Sequence, residues 1–135
     1  MGKIIFVLLT LFSCSFLEDT SSSNLVDREY YPNGELRYEA NYLHGKLHGK
    51  LKNWSADGEL ISIVDYVQGE LDGAWIEYYP SGQLMHSINY TNGRKDGVEV
   101  WYHPNGQLQS ETYYSNGNIN SEIKRWDENG VEIAN

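Results

Sequence analysis

Apolar and polar residues alternate with a period of two along most of the chain. After the turn-like stretch at 80–82, Leu84, His86, Ile88 and Tyr90 fall on one side of an extended segment. No 3.6-residue pattern appears after residue 20. The sequence therefore predicts short strands and no helix, with the strands separated by glycine-rich turns.

This alternation recurs every 24 residues, which marks a repeat protein. Glycine recurs in one register, with an aromatic residue four positions before it and, in the first four copies, a leucine two positions after it. Two further glycine columns and a tyrosine column keep the same step. The glycine columns are Gly34, Gly58, Gly82, Gly106 and Gly130; Gly45, Gly69, Gly93 and Gly117; and Gly49, Gly73 and Gly97. The tyrosine column is Tyr42, Tyr66, Tyr90 and Tyr114. We expect four full repeats and a truncated fifth.

Each repeat contains a triplet that favours a tight turn, such as Pro-Asn-Gly at 32–34. It fits a three-residue hairpin loop, in which a type I turn is followed by a left-handed residue. Proline sets φ at the first position, and glycine accepts the left-handed third position without steric cost. We therefore expect positive φ at Gly82 and Gly106. The second glycine group, as in "HGKLHG" at 44–49, is expected to make a longer return to the next hairpin.

Extending the alternation across each turn predicts the faces of the sheet. It places Ala74, Ile76 and Tyr78 on the same face as the series that begins at Leu84. The repeated columns lie on this face, so we expect it to be buried. The predicted fold is all-β: an elongated antiparallel meander of about ten short strands, in which stacked hairpins support one another.

These columns resemble the bacterial variant of the MORN repeat, and "YYPSGQLMHSINYTNGRKDG" at 78–97 is the best copy. The resemblance covers about residues 28–133. It implies a meander of hairpins that binds or scaffolds, and proteins built only of this variant are often labelled antitoxin-like. Ser121 in place of the third glycine and Glu132 in place of leucine depart from the pattern. The fifth unit is therefore expected to be a cap or frayed.

The N-terminus has a different character. One cation, Lys3, precedes an apolar run at 4–12 that is too short to span a bilayer but fits the core of a secretory signal. Leu11-Phe12-Ser13-Cys14 looks like a bacterial lipobox, although Phe12 is bulkier than usual. An ordinary signal peptide with an incidental cysteine, or a signal anchor, is the alternative.

We interpret this segment as an export and lipidation signal. The prediction is a signal peptide over 1–13, a lipidated Cys14 with a flexible tether over 14–26, and the repeat domain over 27–135. The protein is then an exported lipoprotein held at the membrane of a bacterial cell envelope. Cys14 is the only cysteine, so no disulfide can form within the chain.

The formal net charge of −9 limits the partners. It argues against binding nucleic acid or anionic lipid through charge, while a basic partner is compatible with it. Solubility is the simpler explanation of the acidity.

Candidate chemistry is sparse. His44 and His48 have a spacing that could bind a metal, but both occupy columns of polar turn residues and no third ligand is evident. No nucleophile motif, phosphate loop or cysteine pair is present. We predict no catalytic residue, no metal and no cofactor, and hence no enzyme.

Aromatic residues outside the repeated columns are better candidates for recognition. Trp75, Tyr79 and Trp101 alternate with the predicted buried set, so they are expected on the other face, with His103 and Tyr113 at the edge. Cross-strand pairing that stiffens the sheet is the alternative explanation.

The sequence thus favours a lipid-anchored binding or scaffold module that presents this aromatic face to a protein or an envelope polysaccharide. An antitoxin or immunity protein that neutralises a toxin is the second hypothesis, implied by the family resemblance.

Overall fold

A computed structural model describes residues 23–134. These residues form one antiparallel sheet and contain no helix, which confirms the all-β prediction. The strands are β1 (Asn24–Tyr30), β2 (Leu36–Leu43), β3 (Lys46–Trp54), β4 (Leu60–Val67), β5 (Glu70–Tyr78), β6 (Leu84–Thr91), β7 (Arg94–Lys95), β8 (Gly97–Tyr102), β9 (Leu108–Ser115), β10 (Asn118–Ile119), β11 (Lys124–Trp126) and β12 (Glu132–Ile133). Neighbours along the chain are neighbours in the sheet, except that β7 pairs only with β6 and β10 only with β9.

The start of the sheet corrects one predicted boundary. The tether was expected to run to residue 26, but β1 begins at Asn24 and pairs with β2 from that residue onward. The signal peptide and Cys14 lie outside the described residues. Among the described residues, none forms a helix long and apolar enough to cross a bilayer.

The Pro-Asn-Gly turns have the predicted geometry. At the first turn, the Gly34 N–H donates to the Tyr31 carbonyl over 2.9 Å and the Tyr31 N–H donates to the Glu35 carbonyl over 2.8 Å. Gly82 and Gly106 have φ of 80° and 86°, so both occupy the left-handed region as expected.

The second glycine group does not make a longer return, and that prediction is wrong. β2 ends at Leu43 and β3 begins at Lys46, so the loop has only the two residues His44 and Gly45. Their φ values are 52° and 75°, and two consecutive left-handed residues form the type I′ turn that matches the twist of a hairpin. The same positive φ recurs at Gln68, Asn92 and Asn116.

The predicted faces of the strands before each Pro-Asn-Gly-type turn are inverted. Tyr78 pairs with Leu84 as expected, but Glu77 pairs with His86, which leaves Met85 without a partner. Because side chains alternate, a shift of one residue moves the rest of the strand to the opposite face. Trp75 consequently lies opposite Ile88.

One face, which we call the packed face, holds the buried strand residues. It carries every buried residue of the described strands: Ala40, Ser62, Val64, His86, Ile88, Glu99 and Thr112. The other, which we call the open face, carries Val98 and Val100, together with Ala74 and Ile76, which were predicted to be buried.

The third glycine column lies in bulges. Val64 pairs with Trp75 and Tyr66 pairs with Leu71, so three residues around Gly73 face Asp65. Gly73 has φ of 116°, and a Cβ placed there would lie 2.7 Å from the Cβ of Asp65. Glycine is therefore required at this position for both its conformation and its size.

Ser121 stands where the fourth copy would have glycine. There the pairing breaks off, because β10 ends at Ile119 and β11 begins only at Lys124. The Ser121 hydroxyl instead accepts a hydrogen bond from the Tyr113 N–H over 3.0 Å. The irregularity lies just before the last hairpin, which β11 and β12 form.

Two ladders of hydrogen bonds join successive repeats. At the edge with the Pro-Asn-Gly turns, side chains of one turn donate to carbonyls of the next, as Tyr31 does to Trp54 over 2.9 Å. We call this the turn ladder. At the opposite edge, the Gly69 N–H donates to the Leu47 carbonyl, and equivalent bonds start at Gly93 and Gly117.

Candidate functional site

The five residues predicted to form a recognition patch do not lie on one face. Trp75 and Trp101 lie on the packed face, opposite Val64 and Ser110 respectively. Tyr113 lies on the open face opposite Val98 and is 42% exposed. Tyr79 and His103 lie at the turn edge. The predicted single aromatic face is therefore wrong. The cause is again the unpaired residue after each turn, which inverts the faces of the strand before the turn.

Tyr79 and His103 belong to the turn ladder. The Tyr79 hydroxyl donates to the Tyr102 carbonyl over 2.7 Å. His103 is buried, and its Nε2 lies 2.9 Å from the Trp126 carbonyl. Both side chains occupy the column of Tyr31 and join one repeat to the next, which is a structural role that the sequence reading missed.

Trp75 and Trp101 remain together on the packed face and are half-buried. The Trp75 ring lies 6.0 Å from the Tyr90 ring, and the Trp101 ring stacks on His86 at 4.0 Å between centroids. The indole nitrogen of Trp75 is buried and has no hydrogen-bond partner among the described residues. Since buried polar atoms are usually paired, this donor is an exception.

The packed face also holds a group of four charged side chains, which we call the charged cluster: Glu77, His86, Lys95 and Glu99. His86 Nδ1 lies 3.1 Å from Glu77, and His86 Nε2 lies 3.0 Å from Glu99. Lys95 Nζ lies 2.6 Å from the same Glu99 oxygen. When both ring nitrogens of His86 carry a proton, one donates to Glu77 and the other to Glu99. The two positive and two negative charges of the cluster then cancel.

The environment supports charges in this cluster. Burial opposes ionisation of Glu99, but hydrogen bonds from Lys95 and His86 outweigh burial and lower the pKa of Glu99. Burial likewise opposes the charge on Lys95, but its hydrogen bond to Glu99 prevails and raises the pKa of Lys95. The Lys95 ammonium also lies 4.8 Å from the centre of the Tyr114 ring.

A family model described as the MORN repeat variant matches residues 28–44, 47–68, 71–92, 95–116 and 110–127. These segments cover more than half of the chain. The chain belongs to the MORN repeat variant family. A search of curated proteins found no match.

Comparison of the MORN repeats with one another shows how unusual the charged cluster is. The columns of Lys95 and Glu99 hold Leu47 and Leu51 in one repeat and Leu71 and Trp75 in the next. The third repeat thus has a lysine and a glutamate where the first two have apolar residues. The sequence signal for this cluster is the replacement of two apolar residues by charged ones, whereas the predicted site residues are departures towards aromatic residues.

Of the two remaining histidines of the MORN repeats, His44 lies in a turn as predicted, whereas His48 lies in β3. His44 is the first residue of a two-residue turn, and His48 Nδ1 accepts a hydrogen bond from the Gln68 N–H over 3.4 Å. Asp72 and Asp96 do the same for Asn92 and Asn116 in the following repeats. Among residues 23–134, no group of three or more His, Cys, Asp or Glu side chains has the arrangement of a metal site.

The geometry limits what the charged cluster can do chemically. Both ring nitrogens of His86 already contact carboxylates, and its side chain is only 6% exposed. An imidazole in this position has no free nitrogen with which to exchange a proton with a substrate. The arrangement suits a fixed, polar support for the neighbouring Trp101 ring.

Proposed function

We propose that the MORN repeats form a non-enzymatic binding module whose recognition surface is the packed face around Trp75 and Trp101. One observation carries the proposal: the two tryptophans share one side of a single-layer sheet, and no second layer of described residues covers them. Tryptophan is among the residue types that contribute most to protein interfaces.

The partner we propose is a basic protein. The chain has a formal charge of −9, so long-range attraction favours a cationic surface. An envelope polysaccharide could also stack on tryptophan, but a neutral polymer would gain nothing from this charge. The proposed site therefore combines two aromatic anchors with the negative net charge of the chain.

We further propose that the module is a lipoprotein of the bacterial cell envelope, anchored through Cys14. The support is the apolar run at 4–12 followed by Leu11-Phe12-Ser13-Cys14. Metabolic labelling with a lipid precursor tests for this lipid anchor. Label is expected on the wild type and absent from Cys14→Ser, and equal labelling of both would refute the anchor.

The recognition surface is tested by partner capture from envelope extract, followed by titration of the captured protein. Trp75→Ala and Trp101→Ala should each weaken binding about thirtyfold, because loss of an aromatic anchor typically costs ~2 kcal/mol. Tyr113→Ala is the matched control, since it removes an exposed aromatic ring from the open face. Circular dichroism should show that all three variants keep the fold.

Two outcomes would change the proposal. Equal affinity of the two tryptophan variants and the wild type would exclude the packed face as the binding surface. Tryptophan-dependent binding to envelope polysaccharide freed of protein would replace the protein partner by a carbohydrate.

A further inference from the structure

The open face carries an ordered row of charged and aliphatic residues, and binding through the packed face does not account for it. Residues paired across the strands form one continuous row over it. Charged side chains occupy both ends of the row, while its centre is mostly aliphatic. In sheet order the row is Arg28, Glu39, Lys52, Ile63, Ile76, Ser87, Val100, Glu111 and Lys124.

Apolar side chains of β4 and β8 outside this row are also exposed. Ile61 is 42% exposed and Val67 and Val98 are each 44% exposed, whereas Val64 and Ile88 on the packed face are 6% and 0% exposed. Exposed apolar side chains surrounded by polar residues are typical of an interaction site. Here the rim is made by the charged ends of the row.

We propose that the open face binds a second copy of this chain, as a face-to-face dimer with a two-fold axis parallel to the strands between β5 and β6. Such an axis reverses the order of strands, so that β4 of one copy lies over β8 of the other and β3 lies over β9. Aliphatic then meets aliphatic, because Ile63 faces Val100 of the partner copy.

The charges of the row match under the same operation. Lys52 on β3 faces Glu111 on β9 of the partner copy, and Glu39 on β2 faces Lys124 on β11. Within the described part of the chain, Lys52, Glu111 and Lys124 form no salt bridge, so their charges are available to a partner. Rotation about an axis across the strands would instead place like charges together, which disfavours it.

The size of the open face is sufficient for such an interface. Nine strands at a spacing of ~4.8 Å cover roughly 38 Å, and six residues along a strand cover about 20 Å. The product is roughly 800 Å² per copy, which is the area that a stable interface of standard size contributes from each partner. Two sheets packed face to face would form an ordinary sandwich about 10 Å apart.

A charge exchange between Lys52 and Glu111 tests the dimer. In one copy these residues lie on β3 and β9, five strand spacings or about 24 Å apart, so they cannot contact each other. Lys52→Glu alone and Glu111→Lys alone should each weaken association at least tenfold, because each places like charges across the interface. The double exchange should restore association to within about threefold of the wild type.

Charge pairs within one copy predict the opposite effect of the double exchange. Glu39 lies opposite Lys52, and Lys124 lies opposite Glu111, so the double exchange creates like-charge neighbours in each copy. If the charges served only these pairs, the double variant would be worse than either single variant. Recovery therefore requires a second copy.

The measurement is sedimentation equilibrium of the full chain carrying Cys14→Ser, so that no acyl group contributes to association. We expect a dimer that Ile76→Lys dissociates and that Glu59→Lys, a charge reversal at an exposed turn residue, leaves intact. A monomer at all concentrations, or no recovery in the double exchange, would overturn the proposal. Trp75→Ala should still dimerise, which separates this test from that of the packed face.

Discussion

Two equivalent segments of the packed face solve the same packing problem in different ways. In β5, Leu71 and Trp75 fill their positions with apolar surface. In β7 and β8, Lys95 and Glu99 occupy the same positions and are joined by a contact of 2.6 Å, with His86 against the second of them. The repeat thus specifies the backbone and the number of side chains to be buried, while their chemistry can change when every charge has a partner.

The largest expected difference between the two segments lies in their bulge glycines. Gly73→Ala should lower the free energy of unfolding by about 3 kcal/mol, because it adds positive-φ strain to a contact with Asp65 that the backbone holds in place. Gly97 has φ of 104°, but a Cβ there would meet nothing within 4 Å. Gly97→Ala should cost only ~1–2 kcal/mol. Urea unfolding of both variants measures the difference, and equal costs would show that the contact with Asp65 relaxes.

Next in size is the loss of one member of the charged cluster. Glu99→Ala should cost about 2–3 kcal/mol, since it leaves Lys95 and one nitrogen of His86 without a partner in a partly buried site. The value is below that of a fully buried pair because the Lys95 side chain is 31% exposed. Chemical denaturation at pH 7 measures it, and a cost under ~0.5 kcal/mol would mean that water replaces the carboxylate.

The double variant Lys95→Leu with Glu99→Leu sharpens this comparison. It gives the third repeat the two leucines that the first repeat has at Leu47 and Leu51. Because apolar replacement of an entire ion pair is often nearly neutral, we expect a stability within about 1 kcal/mol of the wild type. A cost greater than that of Glu99→Ala alone would show that the two leucines do not fit the third repeat.

The smallest expected effect is on the pH dependence of stability. The pKa of Glu99 is lowered in the folded protein, so its contribution is present above its ordinary value of 4.5 and is lost as the pH falls below it. The wild type should therefore lose more stability between pH 6 and pH 3 than the leucine double variant. Urea midpoints measured across this range test it, and parallel curves would exclude Glu99 as the cause.

Much of the fold could be predicted from the sequence because the repeat columns report the backbone directly. Positive φ at Gly82 and Gly106 follows from the Pro-Ser-Gly and Pro-Asn-Gly triplets, and the meander follows from their regular spacing. These features depend on local conformation, which glycine and proline restrict strongly.

The faces could not be predicted in the same way. They depend on the unpaired residue after each turn, and that column holds Arg37, Ile61, Met85 and Gln109, which share no physical property. Without a signal for this bulge, alternation places Trp75 and Trp101 on the wrong side. The charged cluster was missed for a related reason, since its four members lie on the four strands β5 to β8 and their proximity depends on the register.

The turn ladder has one interruption, and it affects how the chain opens. Ser55 stands in the column of Tyr31 and Tyr79, but its hydroxyl accepts bonds from the Asp57 and Glu59 N–H groups of its own turn. The second turn therefore makes neither of the side-chain bonds to its successor that the first turn makes through Tyr31 and Asn33.

In a linear array, cooperativity is transmitted only between neighbouring units. The absence of these two bonds, each worth ~1 kcal/mol, makes the junction after the second turn a weaker point of coupling. Fraying that starts at β1 should spread readily through the first two repeats and slow at this seam. Although the repeats form one continuous sheet, the backbone amides before and after Ser55 are thus expected to form two groups. The two groups should differ in their protection from hydrogen exchange.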